Sequence, residues 1–122
     1  MTRPLLLRVW VCGSREYMDE AKMRRVIRKV LDGRGVMKVL FAHGGAQGAD
    51  SLCEWICHDM GIHSFICRHR MKKYGKGGGP MRNRIILREF DPHVVLAFGE
   101  GPGTEDSVKI AIEAGKKVYR FS

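Results

Sequence analysis

The sequence predicts an α/β fold, a single Rossmann-like domain over residues 1–122 with a parallel sheet of about five strands and helices on both faces. Three observations predict this fold class. Hydrophobic periodicity alternates between strand and helix patterns, without a long linker, a low-complexity segment or an internal repeat. The 122 residues suit one domain with its own core. Glycines follow several of the predicted strands, where the tight turns of such a fold are needed.

The first strand and helix have the clearest patterns. Residues 5–12 are an apolar run that ends at Gly13, as is typical of a central parallel strand. Residues 19–33 form the predicted first helix, because its apolar residues recur at helical spacing, namely Met23, Val26, Ile27, Val30 and Leu31. Its basic residues fall mainly on the opposite face, which indicates a solvated surface rather than a nucleic-acid surface: Lys22, Arg24, Arg25, Arg28 and Lys29.

The rest of the chain repeats this alternation. Further strands are predicted at residues 37–42, 62–67, 93–98 and 117–121, and further helices at 46–60, 80–90 and 104–114. The second helix has a predicted inward stripe of Leu52, Trp55, Ile56 and Met60, and Thr104 is the predicted cap of the last helix. Trp10 and Trp55 are interpreted as core or interface aromatics. Right-handed βαβ crossovers then place any ligand beyond the carboxyl ends of the strands.

Composition restricts the partners and the compartment. There are 22 Lys and Arg against 13 Asp and Glu, a formal charge of +9, which favours an anionic partner over the alternative of a merely solvated basic surface. No apolar run approaches the roughly 20 residues that span a bilayer, so no membrane association is expected. The short apolar stretch before Arg8 is interpreted as a strand and not as a signal peptide.

The cysteines favour a cytoplasmic protein without a metal. Cys12, Cys53, Cys57 and Cys67 include no CxxC pair of the kind that builds zinc or redox sites. Cys53, Cys57, His58, His63, Cys67 and His69 crowd one segment, but the spacing favours buried thiols over metal ligands. We therefore expect neither a metal nor a cofactor.

Four glycine-rich segments are predicted to meet at one edge of the sheet: residues 13–15, 43–50, 77–83 and 99–104. Glycine lets a backbone approach a ligand closely, and the N–H groups at a helix N-terminus stabilise phosphate. No Walker A sequence and no strict GxGxxG is present, which disfavours nucleoside triphosphatases and dinucleotide dehydrogenases.

The same segments resemble the SLOG superfamily, the Rossmann-like group that includes the Lonely Guy phosphoribohydrolases and the DNA-processing protein DprA, and most closely its small YspA-like members. The resemblance covers nearly the whole chain, and the segments at 43–50 and 101–104 are its specific part. It implies binding of a nucleotide, a nucleotide sugar or an ADP-ribose-like molecule, hydrolysis of an N-glycosidic bond in some members, and a homodimer.

Site residues follow from this resemblance and from the loops. Gly101, Gly103 and Thr104 match the phosphate-binding PGGxGT turn of the superfamily, although Gly99 and Glu100 stand where its proline and first glycine are expected. Arg82 matches the arginine that Lonely Guy enzymes place against the substrate, and Asp106 stands where they use glutamate, which makes these two the candidate catalytic residues. The other candidate ligand-binding residues are Gly13, Ser14, Arg15, Gly44, Gly45, Asp50 and Asn83.

Individual alternatives stay open at this point. Asp50 could equally have a structural role, as a negative charge at the N-terminus of the second helix, instead of contacting a ligand. Arg15 could pair with Glu16 or Asp19 instead of contacting phosphate. His43 could be a buried histidine bonded to backbone instead of a catalytic base.

Three functions compete. The sequence ranks first the binding or sensing of a nucleotide-derived small molecule, then phosphoribohydrolase activity on nucleoside monophosphates through Arg82 and Asp106. DprA-like binding of single-stranded DNA comes third, because nucleic acid could follow a basic loop at residues 68–76 that contains His69, Arg70, Lys72, Lys73 and Tyr74.

Overall fold

Strands and helices alternate along the chain in a computed structural model that describes residues 5–32, 34–35, 38–67 and 78–122. The elements are β1 (Leu7–Gly13), α1 (Glu20–Leu31), β2 (Val39–His43), α2 (Ala49–Met60), β3 (His63–Ile66), α3 (Gly78–Ile85), a π-helical turn (Ile86–Phe90), β4 (Val94–Phe98), α4 (Pro102–Glu113) and β5 (Lys117–Phe121). The predicted order of elements is confirmed. The basic loop proposed for DNA, residues 68–76, lies outside the described residues.

All five strands pair in parallel, in the order β3-β2-β1-β4-β5. The predicted parallel sheet of about five strands is therefore confirmed. Strand β1 is central, with β2 on one side and β4 on the other. The chain thus changes direction across the sheet at β1 and β4, and a crevice opens at the carboxyl ends of these two strands, where open α/β sheets bind their ligands.

Helices cover both faces of the sheet, as predicted. Alternate residues of β1 point to opposite faces, so that Val9 and Val11 pack with α1 and α2, whereas Trp10 and Cys12 pack with the π-helical turn and α4. All four side chains are buried. Both cores thus meet at β1, the strand from which the first glycine-rich loop leaves.

Three details of the predicted helices are wrong. Trp55 is 58% exposed and does not belong to the inward stripe of α2, because Cys53 and Cys57 take the buried positions. Thr104 is not the cap of α4, since Gly101 holds that position and Pro102 begins the helix. The third helix does not stay α-helical to Phe90 but widens into the π-helical turn after Ile85.

No helix in the described ranges is both long enough and apolar enough to cross a membrane.

Candidate functional site

A cleft of about 640 Å³ opens at the carboxyl ends of β1 and β4. It is lined by all but one of the residues that the sequence analysis selected, which are Gly13, Ser14, Arg15, Gly44, Asp50, Arg82, Asn83, Gly101, Gly103, Thr104 and Asp106. Gly45 is the exception. The lining also contains residues that the sequence analysis did not select for the site, namely Trp10, Cys12, Glu16, Ala46, Pro80, Glu100, Pro102 and Ser107.

The loop after β1 forms one wall of the cleft. Gly13 ends the strand where no side chain fits between Phe98 and Ala49. Ser14 then donates its N–H to the Phe98 carbonyl at 2.8 Å, and its own carbonyl accepts the N–H of Ala49 at 3.0 Å. These bonds fix the loop against β4 and against the first turn of α2. Arg15, in contrast, is exposed, and neither Glu16 nor Asp19 forms an ion pair with it in the described part of the chain.

The buried carboxylate of Asp50 holds the loop after β2 through hydrogen bonds to its backbone. One carboxylate oxygen accepts the N–H groups of Gly44 and Ala46, at 3.1 and 3.2 Å. Gly45 donates its N–H to His43 Nδ1 at 3.0 Å. The N–H groups of Gly44, Gly45 and Ala46 are therefore already bonded inside the protein. These three N–H groups hold the shape of the cleft wall and are not free to bind phosphate.

His43 is buried and has a partner on each ring nitrogen. Because Nδ1 accepts the N–H of Gly45, the proton lies on Nε2, which donates to Glu54 Oε1 at 2.8 Å. The same carboxylate oxygen accepts the hydroxyl of Ser64 at 2.7 Å. The hydrogen bond from His43, and after it the one from Ser64, lower the pKa of Glu54. The structure thus supports a structural histidine, with Glu54 as a partner that the sequence pattern did not indicate.

Asp50→Ala is expected to lower the free energy of unfolding by about 3 kcal/mol, because it leaves two loop N–H groups without a partner. Asp50→Asn is expected to change it by about 1 kcal/mol or less, since one amide oxygen can still accept both bonds. Urea denaturation of both variants measures the difference. Equal losses would show that the two N–H bonds do not hold the loop.

The pH dependence of stability provides a second test of Asp50. Burial raises its pKa, while the N–H groups of Ala46 and Gly44 and the charge of Arg82 oppose the shift. Folding therefore favours the protonated form, and this contribution is complete below the unfolded-state pKa and declines as pH rises through the folded-state pKa. The stability of Asp50→Asn relative to the natural protein should accordingly improve from acidic to neutral pH.

The guanidinium of Arg82 lies against the backbone of the loop after β2, at Gly44. A Cβ atom at Gly44 would be 2.5 Å from its guanidinium carbon, so glycine is what lets the side chain lie on the backbone here. Arg82 Nε is buried without a hydrogen-bond partner in the described structure. Its other contacts are long, 3.5 Å to the Gly44 carbonyl and 3.4 Å to the Asn83 side-chain oxygen. In the described ranges this cation belongs to no ion pair.

Asp106 does not pair with Arg82, although both line the cleft. Its carboxylate forms an ion pair with Arg84 at 3.3 Å and accepts the amide N–H of buried Asn83 at 3.0 Å. Asn83 also reaches the Gly103 carbonyl at 3.4 Å. These contacts tie α3, which carries Arg82, to the first turn of α4. Arg84 is the functional neighbour that the sequence analysis missed, because nothing in the spacing of two nearby arginines tells which one meets the carboxylate.

Helix α4 presents its N-terminus to the cleft. Gly101 is the N-cap, with φ of 151°, and has no side chain with which to cap the helix. The first intrahelical bond joins Glu105 N–H to the Gly101 carbonyl, so the N–H groups of Gly103 and Thr104 precede the helical bonding pattern. Both residues line the cleft. A helix end of this kind stabilises an anion through its N–H groups and its dipole.

Cys12 lines the cleft but does not provide a nucleophile. Burial, and then the negative charge of Asp50, raise the pKa of its thiol to about 12. The group therefore stays protonated at neutral pH, and a thiol in that form is a poor nucleophile. Nor do three His, Cys, Asp or Glu side chains come together as a metal site within the described residues.

Solved structures of other proteins share this architecture. DNA processing protein A (DprA) from Streptococcus pneumoniae has a TM-score of 0.74 at 18% identity, over 94% of this chain and 50% of that one. The structural-genomics target TM1055 has a TM-score of 0.68 at 20% identity, over 93% of this chain and 72% of that one. The chain has a SLOG-like fold.

A third SLOG-like structure, the Moco carrier protein from Chlamydomonas reinhardtii, has a TM-score of 0.61 at 14% identity and covers 95% of this chain and 76% of that one. At such identities the likeness concerns the fold and not the activity. This chain spans half the length of the DprA structure. No protein-family model and no curated protein sequence matches it.

Proposed function

We propose that the cleft binds a nucleotide or a nucleotide-derived ligand, such as an ADP-ribose-like or phosphoribosyl compound, through its phosphate. The observation that carries the proposal is the incomplete hydrogen bonding of the Arg82 guanidinium. A guanidinium that lines a cleft with a buried Nε, two long contacts to neutral oxygens and no carboxylate partner in the described structure has unused hydrogen-bonding capacity. A phosphate would use it, since arginine binds phosphate oxygens in pairs.

The start of α4 supports the same position for the phosphate. Asn83 and Asp106 join α3 to α4, so Arg82 and the N–H groups of Gly103 and Thr104 border one cleft. Positive charge from a side chain and from a helix end then converge on one region. The volume of about 640 Å³ leaves room for more than a phosphate, within the range of small-molecule pockets.

Phosphoribohydrolase activity is the alternative for the same cleft. It requires the Asp106 carboxylate to act on the ribose or on water. In the structure this carboxylate already accepts two contacts from Arg84 and one from Asn83. This arrangement favours a positioning role for Asp106, and it is the reason for ranking binding above hydrolysis.

The test is the thermal shift produced by ligands. Nucleoside monophosphates and ADP-ribose are expected to raise the melting temperature, because a ligand at 100 times its Kd stabilises a protein by about 2.7 kcal/mol. Arg82→Ala should abolish the shift, and Arg82→Lys should retain part of it, since lysine keeps the charge but not the paired donors. Free base released in the same samples would show hydrolysis.

Arg88→Ala is the matched control, because Arg88 lies in the segment that follows α3, is 73% exposed and does not line the cleft. Its ligand-induced shift should equal that of the natural protein. A nucleotide panel without any thermal response at millimolar concentration would contradict the proposal. The homodimer implied by the resemblance stays a prediction that native mass spectrometry can measure, together with any co-purified ligand.

A further inference from the structure

Strand β5 turns an exposed aromatic ring toward the face covered by α1. Residues 117, 119 and 121 point to one side of the sheet, because side chains alternate along a strand. Phe121 fixes that side, since its ring stacks on Phe98 with centroids 4.9 Å apart and Phe98 belongs to the core under α1 and α2. Tyr119 therefore lies on the α1 side, where it is 48% exposed.

The first turn of helix α1 contacts the residue that follows this edge strand. Lys22 Nζ donates to the Ser122 carbonyl oxygen at 2.9 Å, and the Tyr17 hydroxyl reaches the same oxygen at 3.4 Å. Helices that connect parallel strands run opposite to them. Lys29 lies about 10 Å down the helix from Lys22, at 1.5 Å per residue. Tyr119 lies about 10 Å down the strand from Ser122, at about 3.3 Å per residue. Lys29 consequently lies at the level of Tyr119.

Exposed cations lie on the two elements that border this side of the sheet. Arg25 and Lys29 on α1 and Lys117 on β5 are exposed, and none of them is in an ion pair within the described ranges. Arg24, on the flank of α1 toward α2, differs, because it pairs with Asp59 at 2.6 Å. We call Arg25, Lys29, Lys117 and Tyr119 the α1–β5 surface.

We propose that the α1–β5 surface binds single-stranded nucleic acid. A base would stack on the Tyr119 ring while the three cations contact the phosphates on either side, the combination by which proteins hold single strands without reading their sequence. A lipid surface fits less well, because membrane-bound helices insert apolar side chains and those of α1, Met23 and Ile27, are buried against the sheet. The site lies outside the cleft and does not depend on its ligand.

The experiment measures fluorescence anisotropy of labelled oligo(dT) over a range of salt concentrations. Arg25→Gln with Lys29→Gln should reduce the slope of log K against log salt by about 1.4, at about 0.7 for each phosphate that is no longer neutralised. Tyr119→Ala should weaken binding roughly five- to hundredfold, and Tyr119→Phe should restore it because the ring remains. The substituted side chains are all on the surface, so thermal melting should confirm that the variants fold.

Arg88→Gln with Lys109→Gln is the matched control, since it removes the same charge from exposed positions elsewhere, in the π-helical turn and in α4. An equal loss of slope in this control would overturn the proposal, as would full binding by Tyr119→Ala. So would binding of polyglutamate as tight as that of oligo(dT). Neutralising Arg70, Lys72 and Lys73 should leave the ring-dependent part of binding intact. If the variant at Arg70, Lys72 and Lys73 loses all binding of oligo(dT), and Arg25→Gln with Lys29→Gln loses none, the DNA site is the loop predicted from the sequence and the proposal is overturned.

Discussion

Gly13→Ala is expected to lower the free energy of unfolding by about 3 kcal/mol, the upper end of the usual cost of overpacking. An added Cβ would lie 2.2 Å from the Phe98 carbonyl oxygen and 2.7 Å from the Ala49 Cβ. Both obstacles belong to fixed structure, because Phe98 is paired with Gly13 in the sheet and Ala49 begins α2. The melting temperature should fall by roughly 10 °C or more.

Gly103→Ala is the control for this prediction. At that position an added Cβ meets no described atom within 4 Å, and the residue lies in the first turn of α4. Alanine is a better helix former than glycine, so this variant should keep or raise the melting temperature. Equal destabilisation by both substitutions would mean that the close approach of β1, β4 and α2 does not require a glycine.

Gly44→Ala is expected to abolish the nucleotide-induced thermal shift while changing the stability of the free protein by about 1 kcal/mol or less, because the atom in its way is the end of a flexible side chain. The new Cβ would lie 2.5 Å from Cζ of Arg82 and 2.6 Å from its Nε and one terminal nitrogen. The guanidinium must then leave its place over Gly44. Displacement by about 1 Å is enough to disrupt a well-placed interaction.

A double-mutant cycle distinguishes this mechanism from damage to the loop. If Gly44→Ala acts only by displacing the guanidinium, then adding it to Arg82→Ala should cause no further loss of ligand affinity. Isothermal titration with the best ligand from the thermal panel measures the four affinities. Additive losses would show that Gly44 contributes to binding independently of Arg82. They would also support the original prediction of a direct Gly44 contact with phosphate.

Local patterns in the chain were enough to predict the α/β class and the alternation of its elements. Strand β5 agrees with the prediction to the residue, and the four segments selected for their glycines all contribute to one cleft. The physical reason is that a buried parallel strand needs a continuous apolar run, an amphipathic helix needs a period of 3.6, and both are written in consecutive residues. The alternation of strands and helices also predicted that the site lies at the carboxyl edge of the sheet.

Only the tertiary structure decided which partner each side chain of the cleft takes. Arg82 and Arg84 are two residues apart on one short helix, yet one lies over Gly44 and the other binds Asp106. The N–H groups of Gly44 and Gly45 were equally suited to phosphate until the fold placed Asp50 and His43 beside them. Such choices depend on contacts between segments far apart in the chain and on the burial that these contacts create. The hydrophobic period of a single segment determines which face it buries, but it contains no information about which donor on one segment will meet which acceptor on another.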